Sequence, residues 1–280
     1  MRSRRGAAER ALGALALHAA LVAGGALTLF PLLWMVSASF MASGEATTFP
    51  PHLIPHAPTL AQYRALFVRL ALGRAFLSSA LVAGAVTLVS LVVNSMAGYA
   101  FAKLRFGGRE RLFGLLLSAL VVPAQLGMLP LFLLMKALHL VNTYWGAILP
   151  SVASVLGIFL VRQFMLSIPH ELIEAARIEG AGELRIYWSL VMPLARPVLA
   201  TLAILTFMTT WNDFMWPLIV LSDQRRYTLP VAMASLVGEH ALDIELMMAG
   251  AVVTVLPVLV LFLALQRYYI AGLTAGSVKG

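Results

Sequence analysis

Apolar residues in this chain fall in uninterrupted runs rather than in stripes that return every three or four positions. Ala11–Gly44 contains no Asp, Glu, Lys or Arg, and the same holds for Ala75–Ala102, Leu112–Met135, Leu138–Val161 and Leu246–Gln266. Pro197–Ser222 is broken only by Asp213. A helix needs roughly 20 apolar residues to cross a bilayer core, and each run supplies them. The pattern predicts an all-α integral membrane protein with six spans, at about 12–38, 75–101, 112–135, 141–162, 197–221 and 246–266. Residues 1–10 and 271–280 are then tails, and 11–270 is the membrane domain. A start of MRSRR followed by an apolar run also suits a secretory leader. The run is much longer than the 7–15 apolar residues of a leader, and five further spans follow, so a retained helix is expected.

Polar segments between the spans carry their own signals. Ser43–Arg74 is proline-rich and then places Leu60, Tyr63, Leu66, Phe67 and Leu70 at helical spacing. That stripe predicts a helix lying along the membrane surface, with Thr59 as its N-cap. Tyr227–Gly238 holds twelve uncharged residues, too few to span, and reads either as a re-entrant segment or as a surface cap.

Composition agrees with the runs. The chain is 61% hydrophobic and 11% charged, against roughly 45–50% and about 25% in ordinary globular domains. A net charge of +8 raises the question of a nucleic acid partner, since basic patches neutralise phosphates. The distribution answers it. With the N-terminus inside, fourteen of the twenty Lys and Arg fall on inside segments and six on outside ones. This is the positive-inside bias, which predicts cytoplasmic termini and no nucleic acid partner. The absence of cysteine excludes disulfides and thiolate metal sites.

Chemistry within the spans is sparse. Ionisable groups at that depth are costly and default to a functional reading. His18 sits near the inner end of the first span, where water can satisfy a neutral imidazole. Asn212 and Asp213, within Trp211-Asn212-Asp213, are the stronger candidates, either lining a polar pathway or marking an outer gate among interfacial aromatics. Prolines 31, 123, 130, 150, 217 and 257 fall in or beside spans and free carbonyls that must face protein or a watery cavity. Small residues four apart, such as Ala80 and Gly84, predict close helix contact. No GxxxxGK[ST], HExxH, GxSxG or CxxC occurs, so no catalytic residues and no metal or cofactor site are expected. An ion-coupled carrier usually holds several buried charges, and this chain has one clear one. Either it is a passive channel, or energy comes from another chain.

Ser167–Pro197 is the exception to the apolar character, with four of the twelve acidic residues. Ser167 is expected to cap a helix that has Pro169 in its first turn, with Glu171 and Glu174 complementing the dipole. Leu172, Ile173 and Ala176 share a face in this reading, and Ala175 and Ala176 keep the helix thin. Gly180 would end it in a left-handed conformation. A second helix from about Glu183 runs to Pro193 and into the fifth span.

These residues resemble a known motif. Glu174-Ala175-Ala176, Gly180, Leu190-x-Met192-Pro193 is similar to the EAA motif (EAA-x3-G-x9-I-x-L-P) of the permeases of binding-protein-dependent ABC importers, with the spacing kept throughout. The turn Ala100–Gly108 and the Trp211-Asn212-Asp213 triplet resemble the same family's turn after the second span and its fifth span, and the ending Gln266–Gly280 resembles the C-terminal signature of the carbohydrate-importing, MalG-like branch. The resemblance implies the six-span type I permease architecture with a cytoplasmic coupling segment at 167–196. It implies ATPase-coupling roles for Glu174, Ala175, Ala176, Gly180 and Pro193. The implied partners are a homologous second permease, a cytoplasmic ABC ATPase dimer that binds the ATP, and a periplasmic or lipid-anchored solute-binding protein. A secondary carrier and a passive channel are the alternatives.

Overall fold

A computed structural model describes residues 2–50, 52–69, 71–239 and 243–275. It contains helices and turns, with no strand among the described residues. The chain forms two units, Met1–Ala71 with Leu236–Val253, and Leu72–Ser235 with Thr254–Gly280, each described by itself.

The first unit opens with α1, Arg2–Ala38. Its long apolar stretch, from Leu15 to Leu33, is exposed on all sides, which is tolerable only where lipid or another chain is the solvent. Its end is ordered. Ala38, Met41 and Ala46 are buried together with Trp34, Ile244 and Met248 packed on them. Trp34 Nε1 donates to the His52 carbonyl (3.3 Å) and Ser37 Oγ to that of Leu53 (2.6 Å), tying the proline-rich loop to the helix. The expected surface helix is short: α2 covers Ala61–Arg64 and continues as a π-helical turn, Ala65–Arg69. Thr59 Oγ1 accepts from the Ala61 amide at 3.1 Å. Leu66 is buried while Leu60 and Phe67 are exposed, so the expected stripe is split, and Leu70 lies outside the described residues.

The second unit is organised by α3, Leu72–Lys103. After it come α4 (Arg109–Ser118), α5 (Met128–Ala137), α6 (Tyr144–Ile148) and α7 (Val155–Leu166). Next are α8 (His170–Ile178), α9 (Glu183–Ile186) and α10 (Met192–Leu194). The remainder is α11 (Arg196–Trp211), α12 (Met215–Val220), α13 (Leu229–Glu239) and α14 (Ile244–Ala275), of which residues 236–253 belong to the first unit. Among the described residues three helices are long and apolar enough to cross a membrane, and counting each of three bent pairs as one span makes six.

Three expected spans are not straight: the 141–162 run bends by 41° between Ser151 and Val155. The 112–135 run is bent by 99° between Val121 and Ala124, because Pro123 holds Val122 in an extended conformation (φ −81°, ψ 121°). The 197–221 run breaks after Trp211, where Asn212 leaves the helix at φ −91°, ψ 0° and α12 begins three residues on. The tails also differ: helix begins already at Arg2, and α14 continues to Ala275, leaving residues 276–280 outside the described residues.

Helix α3 packs on α7 and α11 through a ridge of small residues four apart: Ser90, Asn94, Gly98 and Ala102, all buried. A Cβ on Gly98 would lie 2.8 Å from Val161 Cγ1, and one on Gly157 would lie 2.9 Å from Asn94 Nδ2. Gly84, by contrast, has open space around it. Close approach therefore occurs further along α3 than the Ala80/Gly84 pair suggests. His18 Nδ1 lies 2.6 Å from the Ala14 carbonyl on its own helix, which satisfies it locally.

Candidate functional site

The 167–196 segment is built from two short helices set against one end of α3. Ile173 is fully buried and Ala176 is packed beside it, in a core shared with Tyr99, Val161, Met165, Ile186 and Tyr187. Every other side chain of α8 is exposed. Ala176 is thus an inward anchor, not part of an accessible thin face, and Leu172 points away from Ile173 with 45% exposure. The helix starts differently from the expectation. Pro169 occupies the N-cap position at φ −58°, ψ 136°, outside the helix, with no side-chain cap. Ser167 belongs to the preceding element, ending α7 with its hydroxyl donated to the Phe164 carbonyl at 2.7 Å.

The helix ends as the glycine suggests. Gly180 has φ +83°. Its amide donates to Arg177 O (2.9 Å), and the Ala181 amide donates to Ala176 O (3.0 Å). This pair of bonds defines a Schellman stop, which favours a residue without Cβ. Beyond it, α9 passes into a π-helical turn, Tyr187–Val191, and then α10. Pro193 sits in that last turn with no N–H to give, which suits the widened turn before it. An 80° bend leads into α11.

Three groups on α3 hold this segment. Lys103, 3% exposed, donates Nζ to the Ile168 carbonyl at 2.5 Å, just ahead of α8. Tyr99 OH donates to Glu183 Oε2 at 2.9 Å, and Arg177 Nε donates to Glu183 Oε1 at 2.7 Å. Ser95 Oγ and Tyr187 OH lie 2.6 Å apart. The Arg177 guanidinium holds the Glu183 carboxyl below the usual carboxylate range, against the opposing effect of partial burial. These positioning residues are not evident from sequence, because none of the pairs has a helical i, i+4 spacing. Among the described residues Glu174 forms no hydrogen bond or ion pair, and it borders a hollow of about 430 Å³ with Arg105, Arg177 and Glu183. Ile178 (88% exposed), Leu184 and Trp188 add an uncovered apolar surface beside it.

The second site is a cavity of about 530 Å³ between α7 and α11. Ser151, Ser154, Thr206, Thr209, Thr210 and Asp213 line it together with Leu156, Leu160, Leu202 and Leu205. Asn94 on α3 sets the near wall, accepting from the Ser154 amide at 3.0 Å, while Ser154 Oγ caps α7 by accepting from Gly157 N at 3.2 Å. Asp213 accepts weakly from the Trp216 amide at 3.4 Å, which leaves its carboxylate available to the cavity. Asn212 is turned away, donating Nδ2 to Met208 O on its own helix at 2.8 Å. The two candidates are therefore separated. Around the break, Trp211 Nε1 donates to Thr254 O (3.0 Å) and Trp216 Nε1 to Gly146 O (3.0 Å), so both indoles act as struts. The threonine lining was readable: Thr206, Thr209, Thr210 and Asp213 recur at i, i+3, i+4 and i+7, a polar stripe on one helix face. Among the described residues no group of three His, Asp or Glu could hold a metal ion.

Comparison with known proteins places this geometry. Residues 94–274 match the family described as binding-protein-dependent transport system inner membrane component. The arabinooligosaccharides transport system permease protein AraQ of Halalkalibacterium halodurans is 40% identical over 257 residues, which is 91% of this chain and 92% of AraQ. The melibiose/raffinose/stachyose import permease protein MelC of Bacillus subtilis is 36% identical over 282 residues, 99% of this chain and 100% of MelC. A chain of a crystallised bacterial ABC transporter involved in import of the acidic polysaccharide alginate shares the fold, with TM-score 0.82 at 24% identity over 92% of this chain and 96% of its own. With a family match over most of the chain and relatives collinear with nearly all of it, the chain belongs to the binding-protein-dependent transport system inner membrane components, as a permease subunit of an ABC importer.

Proposed function

We propose that this subunit forms half of the translocation pathway for a carbohydrate, with α8 as the element gripped by a separate ATPase. The observation that carries the reading is the mounting of α8. Two inward anchors seat it and three contacts from α3 hold the residues on either side of it, Ile168, Glu183 and Tyr187, while Glu174, Ala175 and the apolar residues Leu172 and Ile178 remain uncovered. A partner pressing on that surface would move α3, and α3 holds the cavity residue Ser154 through Asn94. Glu174 and Ala175 then make the outer contact, Ala176 anchors, Gly180 sets the stop and Pro193 the exit toward α11.

The cavity supports the solute class. Hydroxyl groups from Ser151, Ser154, Thr206, Thr209 and Thr210 with one carboxylate, on leucine walls, suit a polyhydroxylated solute with apolar ring faces. No cation lines it to pair with a phosphate, and AraQ and MelC carry saccharides by name. In this reading both termini and the 167–196 segment are cytoplasmic. A homologous second permease completes the pathway, a solute-binding protein delivers the sugar outside, and ATP is bound by the ATPase dimer alone. Access alternates between the two sides as that dimer closes and opens.

The test is reconstitution of the importer with Glu174→Lys or Gly180→Val. A side chain at φ +83° costs roughly 1–2 kcal/mol and reorients the stop. Both variants are expected to assemble, yet to lose sugar uptake and the ATP hydrolysis stimulated by loaded binding protein. Wild-type stimulation and uptake in both would overturn the assignment.

A further inference from the structure

The turn from α3 into α4 holds a pocket of about 720 Å³ lined by Lys103, Arg105, Phe106, Arg109, Arg111 and His170, along with Gly108 and Glu110. We infer that this pocket binds the headgroup phosphate of an anionic phospholipid in the inner leaflet. The inference rests on the cytoplasmic placement of this turn proposed above.

The charges of the pocket are unevenly committed. Glu110 supplies its only carboxylate, and that group is already engaged by Arg109 Nη2 (2.9 Å) and Arg162 Nη2 (3.3 Å). Lys103 is turned onto the Ile168 carbonyl, and Arg109 also donates Nη1 to Leu104 O at 3.1 Å. Arg105 and Arg111 are exposed and, among the described residues, form no hydrogen bond or ion pair. Two free guanidiniums, each with five donors in a planar fork, match the geometry of a phosphate group. Gly108, at φ +78°, starts α4 from a left-handed residue and itself lines the pocket.

What lies next to the pocket selects a lipid over a soluble anion. Leu112 is 51% and Leu115 70% exposed on the first turns of α4, and Phe106 is 40% exposed at the pocket rim. A diacyl lipid places its phosphate among the guanidiniums and its chains along these leucines, covering both surfaces at once. A free phosphate would leave the leucines bare. Basic pockets beside membrane helices on the cytoplasmic side bind headgroups on this principle.

The experiment weighs the intact importer by native mass spectrometry after purification with equal parts of phosphatidylglycerol and phosphatidylcholine. Wild type is expected to keep one more phosphatidylglycerol per copy of this subunit than Arg105→Gln/Arg111→Gln. Each basic residue near an anionic headgroup contributes a factor of about five, so the double variant should lose about thirtyfold in retention. Arg105→Lys/Arg111→Lys, which keeps the charge, should retain most of it. If the double Gln variant does not assemble, Arg105→Gln alone, with a loss of about fivefold, carries the test. Equal retention by wild type and variant overturns the proposal. So does displacement of the lipid by millimolar inorganic phosphate, which would assign the pocket to a soluble anion. Placement is read independently, because the chain has no cysteine: Gly107→Cys should react with a membrane-impermeant maleimide only from the cytoplasmic side. Reaction from outside would refute the topology and the inner-leaflet assignment together, whatever the lipid retention.

Discussion

Gly98 leaves no room for a methyl group. A Cβ there would meet Val161 at 2.8 Å and the Arg162 backbone nitrogen at 3.0 Å, and a backbone atom cannot step aside as a flexible side-chain tip can. Overfilling such a contact costs about 1–3 kcal/mol. Gly98→Ala should therefore lower the thermal unfolding midpoint in detergent, whereas Gly84→Ala, in open space, should match or exceed wild type. An unchanged midpoint for Gly98→Ala would contradict the packing of α3 on α7. At this scale the sequence was readable where backbone chemistry is local. Gly180 ends α8 in the left-handed region, because a stop is decided within one turn. It was unreadable where the partner lies far along the chain. Nothing near Lys103 announces that its ammonium will meet the Ile168 carbonyl, 65 residues away, and Ala176 turned inward because Ile173 found its core among residues of other helices.

Between Ser167 and Pro197 the structure gives one element two functions, an uncovered outer surface and a fixed inner seat. The seat contains a pH-sensitive contact. Glu183 is held below the ordinary carboxylate value of about 4.3, first by Arg177 and then by the Tyr99 hydroxyl. A depressed carboxyl contributes stability above its ordinary value and loses it as pH falls through the lowered one. Both side chains are partly exposed, at 39% and 45%, so the contribution is about 0–1 kcal/mol. Hydrogen exchange of the α8–α9 amides, corrected for intrinsic rates, should be level from neutral pH to about 5 and rise only below about 4. Glu183→Gln should raise it at all pH and flatten the profile. A wild-type change centred near neutral pH would implicate another group. Element lengths followed the apolar runs, but their bends did not. Composition sees 112–135 as a single apolar run, yet Pro123 fixes Val122 in an extended conformation and folds the run back by 99°. Likewise Ser167 looked like a cap by residue type, but the chain spends it on closing α7.

Across the molecule, one half-buried carboxylate at a polar cavity separates two kinds of transport. As a wall group of an ATP-driven pathway, Asp213 contributes hydrogen bonds to the solute, of the order of 1.5–3 kcal/mol for a charged acceptor. Asp213→Asn should then weaken apparent solute affinity by roughly tenfold to a hundredfold. Uptake should still require ATP, and neither protein should respond to an imposed proton or sodium gradient. Gradient-driven uptake without ATP that Asp213→Asn abolishes would instead mark an ion-coupled carrier. The polar stripe Thr206, Thr209, Thr210, Asp213 was visible as a helical spacing, while its facing wall, Ser151 and Ser154, depends on Asn94 holding a break in the chain, which only three dimensions show. Helix α3 carries Asn94, which holds the cavity residue Ser154, and Ser95, Tyr99 and Lys103, which hold the 167–196 segment, within ten residues on one rigid rod. The two ends are therefore locked in rotational phase. One residue added between Asn94 and Ser95 would leave every contact group present and every helix intact, yet would turn the lower three by about 100° relative to the upper one. Substitutions within this stretch can be absorbed one contact at a time, whereas a change in its length misaligns all of them together, so the interval from 94 to 103 should vary in letters but not in number.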